Sequence, residues 1–187
     1  MERESDYPTI ELDSGPRYVY RVTRIASMYD GDSVNVVVHS TAKSPDVSVD
    51  FGFGDIIQLS GTTVSKETPV SVRMHGYDTP ELRDRRPDWK AAAYLARDRA
   101  REWMEKALAA KTMDGLFMRT YKDRTGKYGR YLATFHVDKA VEEGFSPSLG
   151  DYLIRNFLAV PYHGQSKADV ESAHQANVDK LKTRGLV

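Results

Sequence analysis

The chain has 187 residues, of which 40% are hydrophobic and 29% are charged, and this size and composition predict one domain with a substantial core. Lysine plus arginine equals aspartate plus glutamate at 27 each, so the chain has no net field that would attract nucleic acid, and an anionic partner would need a local basic patch. The chain contains no cysteine, which excludes disulfides and thiolate metal sites.

Residues 1–16 are polar and predict a flexible N-terminal arm, and residues 17–187 predict a single domain. The first residues lack the apolar run of a signal peptide, and no stretch approaches the roughly 18 consecutive apolar residues that indicate a membrane-spanning helix. We therefore expect a cytoplasmic protein without membrane contacts. A monomer is the default expectation, because no pattern in the sequence indicates an oligomeric state.

Apolar alternation predicts five strands. They are RYVYRVTRI at 17–25, the run around Val34, Val36 and Val38, TPVSVRMHGY at 68–77, LFMRTY at 116–121 and YLATFHV at 131–137. The Asp30-Gly31 turn between the first two strands predicts a hairpin. Residues 40–68, which are rich in Ser, Thr, Asp and Gly, are interpreted as an insertion that could form a hairpin of its own.

The period of the pattern changes after Pro87, where apolar residues recur at threes and fours and predict an amphipathic helix to about residue 110. Ser146 and Pro147 are predicted to open a second helix as its cap and first residue. Ser166, with Asp169 three residues later, resembles a capping box and predicts a third helix. Together the elements predict an α+β domain around a small barrel, compatible with an OB-type barrel.

Two kinds of charged side chain are placed where chemistry could occur. Four acidic residues lie near the predicted turns: Asp30, Asp32, Asp78 and Glu81. Their oxygen atoms suit hard divalent cations such as Ca²⁺ or Mg²⁺. Two arginines on separate segments, Arg73 and Arg130, suit a phosphate, because its paired oxygens match a guanidinium fork. A metal, a carboxylate base and two arginines are what phosphodiester hydrolysis requires.

Each piece also has a purely structural interpretation. Asp-Gly-Asp at 30–32 is more often a simple turn, the segment Asp78–Glu81 can cap a turn before the helix, and Lys127–Arg130 can be a solvated loop. Two basic clusters, at 83–86 and 119–130, flank the arginine pair. They favour an anionic substrate that is held through its phosphates rather than its bases.

Taken together, the order of four segments resembles the staphylococcal nuclease (thermonuclease-like) family over roughly residues 17–182. The segments are DGDS at 30–33, VRMHGYDTPE at 72–81, DRTGKYGRYLA at 123–133 and LIRNFLAVPY at 153–162. This resemblance implies a five-stranded OB-type Greek-key barrel with three α-helices, here with an insertion between the second and third strands. It also implies a Ca²⁺-dependent nuclease site on the barrel surface, acting on DNA, RNA or both.

The resemblance assigns the metal ligands residue by residue. It places them at the carboxylates of Asp32 and Asp78 and at the main-chain carbonyl of Thr79, with Asp30 as a supporting carboxylate nearby. Calcium is the ion that the family implies. The oxygen ligands by themselves admit Mg²⁺ or Mn²⁺ as well.

The resemblance also assigns the catalytic groups. Glu81 matches the candidate general base, and Arg73 and Arg130 match the arginines that bind the scissile phosphate and stabilise its pentacoordinate transition state. The implied reaction is endonucleolytic hydrolysis of the P–O5′ bond of DNA or RNA, which leaves 3′-phosphate ends.

Three further positions match residues that contact the nucleotide. Lys127 and Tyr128 match groups at a terminal phosphate, and Tyr162 matches an aromatic of the nucleotide pocket. Asn156 stands where a glycine commonly ends the second helix, and we expect it to adopt the left-handed conformation that such an end needs. The insertion and the PYHGQSK segment are similar to those of nuclease-like proteins encoded by bacteriophages, and no site residue is assigned to them.

A binding module is the alternative to an enzyme: the same barrel could hold single-stranded nucleic acid or a protein without cutting it. Members of the family that have lost catalysis typically lack the carboxylates or the arginines. This chain has the complete set, at Asp32, Arg73, Asp78, Glu81 and Arg130. The sequence therefore favours a metal-dependent nuclease over the binding module.

Overall fold

The computed structural model describes residues 19–43, 47–50, 56–59, 63–110, 115–121, 130–137 and 145–187. The strands are β1 (Val19–Asp30), β2 (Ser33–Lys43), β3 (Val47–Asp50), β4 (Ile56–Leu59), β5 (Thr63–Met74), β6 (Tyr77–Asp78), β7 (Leu116–Tyr121), β8 (Tyr131–Val137) and β9 (Val160–Pro161). The helices are α1 (Pro87–Ala109), α2 (Leu149–Arg155) and α3 (Lys167–Thr183). The arm predicted at 1–16 lies outside the described residues.

Five of the strands close into a barrel in the order β1-β2-β5-β8-β7. Neighbouring strands are antiparallel, except that β5 and β8 run parallel, with Val72 opposite Tyr131. Alternate residues of β2 point into the barrel, where Val34, Val36 and Val38 are buried, because successive side chains of a strand face opposite sides. The closed barrel with three helices confirms the predicted α+β, OB-type architecture.

The predicted insertion at 40–68 lengthens two barrel strands. β2 and β5 remain paired from Ser33 opposite Arg73 to Lys43 opposite Thr63. β3 and β4 form a separate antiparallel pair, in which Val47 lies opposite Leu59. The described part of the insertion therefore consists of paired strands, which satisfy their own backbone hydrogen bonds.

Helix α1 covers the barrel with a face made largely of alanine. Its buried residues are Trp89, Ala92, Ala93, Ala96, Ala100, Trp103, Met104 and Ala107. Small side chains let the helix axis approach β1 and β7, which it contacts. Pro87 occupies the first turn, as predicted, where a missing N–H leaves no helical hydrogen bond unmade.

The predicted start of α2 is wrong by two residues. Its N-cap is Ser148, whose hydroxyl accepts a hydrogen bond from the Asp151 amide at 3.4 Å. Ser146 lies outside the helix, and its hydroxyl donates to the Ser148 carbonyl at 3.0 Å. Its carbonyl accepts from the Trp103 indole at 3.2 Å. This tertiary contact fixes Ser146 and Pro147 as a connector, so the next serine in the chain becomes the cap.

The predicted end of α2 is also wrong in detail. Asn156 has φ −94° and is not left-handed, whereas Phe157 has φ 62°. The Leu158 amide donates to the Leu153 carbonyl at 2.9 Å and the Phe157 amide donates to the Ile154 carbonyl at 3.1 Å. This pair of bonds is a Schellman motif, which requires the left-handed residue one position after the cap. A bulky residue in that conformation is strained and must be held by its surroundings.

Helix α3 supplies part of that support. Lys180 Nζ lies 4.6 Å and Arg184 Cζ lies 4.5 Å from the centre of the Phe157 ring, so two cations contact the ring.

The predicted cap of α3 is confirmed, because the Ser166 hydroxyl accepts from the Asp169 amide at 3.2 Å. None of the helices in the described part of the chain is long and apolar enough to cross a membrane.

Candidate active site

Three segments meet at one end of the barrel, and the register of the strands explains why. Ser33 at the start of β2 is paired with Arg73 near the end of β5. Arg73 is in turn paired with Leu132 of β8, and Arg130 directly precedes that strand. Arg130 Nη1 lies 3.5 Å from the Ser33 hydroxyl. The barrel therefore brings both predicted phosphate-binding arginines to the β1–β2 turn.

The two predicted metal carboxylates face one guanidinium group. Arg73 Nη2 lies 3.6 Å from Asp32 Oδ2 and 3.5 Å from Asp78 Oδ1. The Ser33 hydroxyl donates to Asp32 Oδ1 at 3.0 Å, and the Met74 amide donates to the Asp32 carbonyl at 2.8 Å. The turn and the end of β5 are thus tied together at the point where the charged groups meet.

The carboxylates of the turn are withdrawn from solvent. Asp30 and Asp32 are 7% and 6% exposed, and Asp30 Oδ1 has no hydrogen-bond partner among the described residues. Burial, reinforced by the charge and hydrogen bond of Asp30, raises the pKa of Asp32 to about 8, although Arg73 opposes the change. Burial beside the same carboxylates raises the pKa of Tyr77, whose hydroxyl donates to the Gly31 carbonyl at 3.4 Å.

This set of oxygen donors fits a hard divalent cation. The buried carboxylates of Asp30 and Asp32, including Asp30 Oδ1, are stabilised when a cation neutralises their charge. Thr79 is 4% exposed and packs on the turn so closely that a Cβ added at Gly31 would lie 2.8 Å from Thr79 Cγ2. Among the described residues, no three or more His, Cys, Asp or Glu side chains are arranged to hold a metal. The predicted set is smaller, because it has two carboxylates and a main-chain carbonyl.

A cavity of about 330 Å³ lies beside the β1–β2 turn, and we call it the turn cavity. The predicted site residues in its lining are Asp30, Asp32, Arg73, Glu81 and Arg130. Arg73 has a half-exposed side chain and Glu81 is exposed, so both are accessible to a substrate. The three predicted catalytic residues therefore share one cavity with Asp32, a predicted metal ligand.

A second cavity of about 410 Å³ lies between the loop after β6 and α3, and we call it the helix cavity. Arg73 and Glu81 line this cavity as well, so they form a wall common to both. Asp78, Thr79 and the exposed ring of Tyr162 also line it. Tyr162, the predicted aromatic contact, thus lines the same cavity as the predicted metal ligands Asp78 and Thr79. Two predicted substrate contacts, Lys127 and Tyr128, lie outside the described residues.

Sequence reasoning missed His174 of α3, which lies in the wall of the helix cavity. Its Nε2 is 3.0 Å from Asp78 Oδ2. The available signal was helical spacing: His174 precedes the buried residues Val178 and Leu181 by four and seven positions, so it falls on the buried face of α3. Only the tertiary structure shows that this face meets Asp78.

The basic cluster at 83–86 divides between the two cavities. Arg83 lines the turn cavity, where its Nε donates to the Tyr29 hydroxyl at 3.0 Å. Arg86 lines the helix cavity and stacks 3.5 Å above the Trp89 ring. Arg86 Nη2 and Nε bind the two oxygens of Asp84 at 2.6 and 2.9 Å. The hydrogen bonds from Arg86 lower the pKa of Asp84 to about 2.

In comparisons with known proteins, no family model matches the chain and no curated protein matches it.

Proposed function

We propose that the protein is a Ca²⁺-dependent nuclease of the staphylococcal nuclease type, hydrolysing phosphodiester bonds of DNA, RNA or both. The observation that carries this proposal is the meeting of Asp32 and Asp78 around Arg73 beside a cavity that Glu81 and Arg130 also line. Hard oxygen ligands, two guanidinium groups and an accessible carboxylate are complementary to a phosphodiester.

The metal would be held by Asp32, Asp78 and the Thr79 carbonyl. When bound, Ca²⁺ supplies a fixed positive charge that polarises the phosphoryl oxygens. The buried position of Asp32 favours this binding. Burying a charged carboxylate is costly, and a bound cation offsets that cost by neutralising the charge. Asp30 adds negative charge beside Asp32 and strengthens the attraction for a divalent cation.

The remaining groups act on the substrate. Arg73 and Arg130 bind the scissile phosphate and neutralise the charge that accumulates on its oxygens. Glu81 accepts a proton from the attacking water. The water oxygen forms a new bond to phosphorus in line with the P–O5′ bond that breaks, so the phosphate stays on the 3′-oxygen, and the departing 5′-oxygen takes a proton from solvent. The exposed edge of both cavities at Glu81 leaves room for that water.

Tyr162 and Arg86 fit the proposal as contacts for nucleotides next to the scissile bond. The ring of Tyr162 is exposed in the wall of the helix cavity, where a base can stack on it. Arg86 and Lys167 line the same cavity and offer positive charge to neighbouring phosphates.

The proposal is tested by incubating plasmid DNA and a long RNA with the purified protein in Ca²⁺, in Mg²⁺ or with a chelator. We expect metal-dependent degradation that the chelator abolishes. Replacing Arg73 and Arg130 with Ala should lower turnover by about 10² or more, as expected for lost transition-state charge partners. Whether the products carry 3′-phosphate or 5′-phosphate ends identifies the bond that is cut.

A double variant of Arg97 and Arg99 to Ala is the matched control. Both arginines lie on α1, paired with Asp98 and Glu102, so the same positive charge is removed without touching either cavity. Cleavage that both double variants retain would contradict the proposed site. Binding without cleavage in any metal would instead support the binding module.

A further inference from the structure

Helix α3 presents one polar side chain on its buried face. His174 is 3% exposed and shares that face with Val178 and Leu181. A buried polar ring is unfavourable unless it is hydrogen-bonded. The partner that the structure provides is Asp78, whose Oδ2 lies 3.0 Å from His174 Nε2. The Nε2–H therefore donates to the carboxylate.

Asp78 is held on both of its oxygens. Oδ1 faces Arg73 Nη2 at 3.5 Å, and Oδ2 faces His174 at 3.0 Å. Arg73 has a half-exposed side chain, whereas the His174 side chain is 4% exposed. Arg73 can move toward a substrate, but His174 is fixed within the protein. The histidine is therefore the permanent support of this carboxylate.

The orientation of the His174 ring is set by the packing of α1 against α3. The Trp89 ring meets it edge to face, with centroids 5.7 Å apart. The Trp89 indole N–H in turn donates to Gln175 Oε1 at 2.9 Å. His174 Nδ1 is buried and has no hydrogen-bond partner among the described residues. The bond to Asp78 is thus the hydrogen bond that satisfies this buried ring.

We infer that His174 is a positioning residue, which fixes the Asp78 carboxylate so that it can ligate the divalent cation of the active site. This inference rests on the proposed function. Groups that orient a metal ligand typically change metal affinity by about 10- to 100-fold. A residue with this role should govern how tightly the metal binds, and should leave turnover unchanged once the metal site is filled.

A histidine that only stabilises the α1–α3 interface would behave differently. Its removal would lower the midpoint of thermal unfolding in chelator, and the folded fraction would keep its full metal affinity. The positioning role and the purely structural role can be distinguished by measuring Ca²⁺ affinity. They can also be distinguished by whether a substituted side chain that reaches Asp78 restores that affinity.

The experiment measures Ca²⁺ binding to the full chain by isothermal titration calorimetry, and cleavage of DNA as a function of Ca²⁺ concentration. His174→Phe keeps the ring and its contact with Trp89 but removes the donor. His174→Gln places an amide N–H near the position of Nε2, and His174→Asn places it near Nδ1, too far from Asp78. Gln175→Leu is the matched control, because it removes a neighbouring α1–α3 hydrogen bond without touching Asp78.

We expect His174→Phe and His174→Asn to weaken Ca²⁺ binding by about 10-fold or more, and to regain wild-type turnover at saturating Ca²⁺. His174→Gln should restore most of the affinity, and Gln175→Leu should leave it unchanged. If His174→Phe does not fold in chelator, the comparison of His174→Gln with His174→Asn gives the same answer.

Two results would overturn the inference. One is wild-type Ca²⁺ affinity in both His174→Phe and His174→Asn. The other is an equal loss in His174→Gln, His174→Asn and Gln175→Leu that follows their unfolding midpoints. Failure of the proposed function looks different, because the wild type would then neither bind Ca²⁺ nor cut nucleic acid, and the inference would fail with it.

Discussion

Two aspartates of the site show how differently the same residue type behaves in two places. Asp84 is paired with Arg86 through both of its oxygens, and these bonds lower its pKa to about 2. Asp32 is buried, and burial raises its pKa to about 8 even though Arg73 lies 3.6 Å away. One carboxylate is stabilised as an anion by the protein, and the other is not.

The difference lies in burial and in the hydrogen bonds that each carboxylate receives, because desolvation is the main cause of the raised pKa of Asp32 and hydrogen bonds from Arg86 are the main cause of the lowered pKa of Asp84. Arg86 also pairs with Glu171 at 2.9 Å, but the side chains of Arg86 and Glu171 are both well exposed to solvent. Arg73 serves both Asp32 and Asp78, and Asp30 adds further negative charge next to Asp32. Surplus charge in an ion-pair cluster that faces solvent is screened by water, whereas a buried cluster with surplus negative charge is completed by a cation. The comparison predicts different responses to substitution.

The largest effect is expected from Asp32→Asn set against Asp84→Asn. Asp32→Asn should weaken Ca²⁺ binding by more than the roughly 100-fold typical of supporting groups, and should abolish cleavage at ordinary Ca²⁺ concentrations. Asp84→Asn should leave Ca²⁺ affinity nearly unchanged. Isothermal titration calorimetry of both variants checks this, and an equal loss of affinity in the two would contradict the assignment of Asp32.

Glu81 lies in the walls of both cavities, and its substitution distinguishes a general base from a metal ligand. Glu81→Gln should lower turnover by about 10²-fold, the lower end for a general base, and should leave affinity for a mononucleotide and for Ca²⁺ close to wild type. Steady-state cleavage and calorimetry measure the two quantities. A parallel loss of metal affinity would instead place Glu81 among the metal ligands.

Gly31 is expected to have an intermediate effect through packing. Gly31→Ala places a Cβ 2.8 Å from Thr79 Cγ2, and overpacking of this kind typically costs about 1–3 kcal/mol. Urea denaturation should show the loss, together with weaker Ca²⁺ binding, because the turn and the Thr79 carbonyl must separate. Gly115→Ala is the control, since its nearest contact is the flexible Arg21 side chain at 3.4 Å.

The smallest effect is the pH dependence of the Asp84–Arg86 pair. The pKa of Asp84 in the folded protein is about 2, below the roughly 3.9 of an unperturbed aspartate. The pair therefore stabilises the fold above about pH 4, and this contribution is lost as the pH falls toward 2. Thermal midpoints in chelator should fall less steeply over that range in Asp84→Asn than in the wild type. Parallel curves would show that the pair contributes nothing.

Local patterns predicted the elements well where one residue type decides the conformation. Pro87 marks the start of α1, and Ser166 caps α3, since a missing N–H and a capping hydroxyl act within a single turn. The start of α2 was mispredicted because the Ser146 carbonyl accepts a hydrogen bond from the Trp103 indole, which holds Ser146 outside the helix. Its end was mispredicted because the left-handed position falls on Phe157, whose ring is contacted by Lys180 of α3 and by Arg184 at the C-cap of that helix.

The candidate site divides in the same way. Asp30, Asp32, Asp78 and Glu81 could be named from the sequence because they stand at turns next to predicted strands, and Arg73 because it lies near the end of one. That Arg73 lies between two carboxylates follows from the strand register, which no short segment determines.

The sequence by itself thus determined the five barrel strands, the existence of the three helices and the chemical types of the site residues, because these depend on period and on short motifs. Only the tertiary structure decided the burial that raises the pKa of Asp32 and the contact of His174 with Asp78 across 96 positions. Burial and long-range contacts arise when separate elements pack together, and a local pattern does not record which partners will meet.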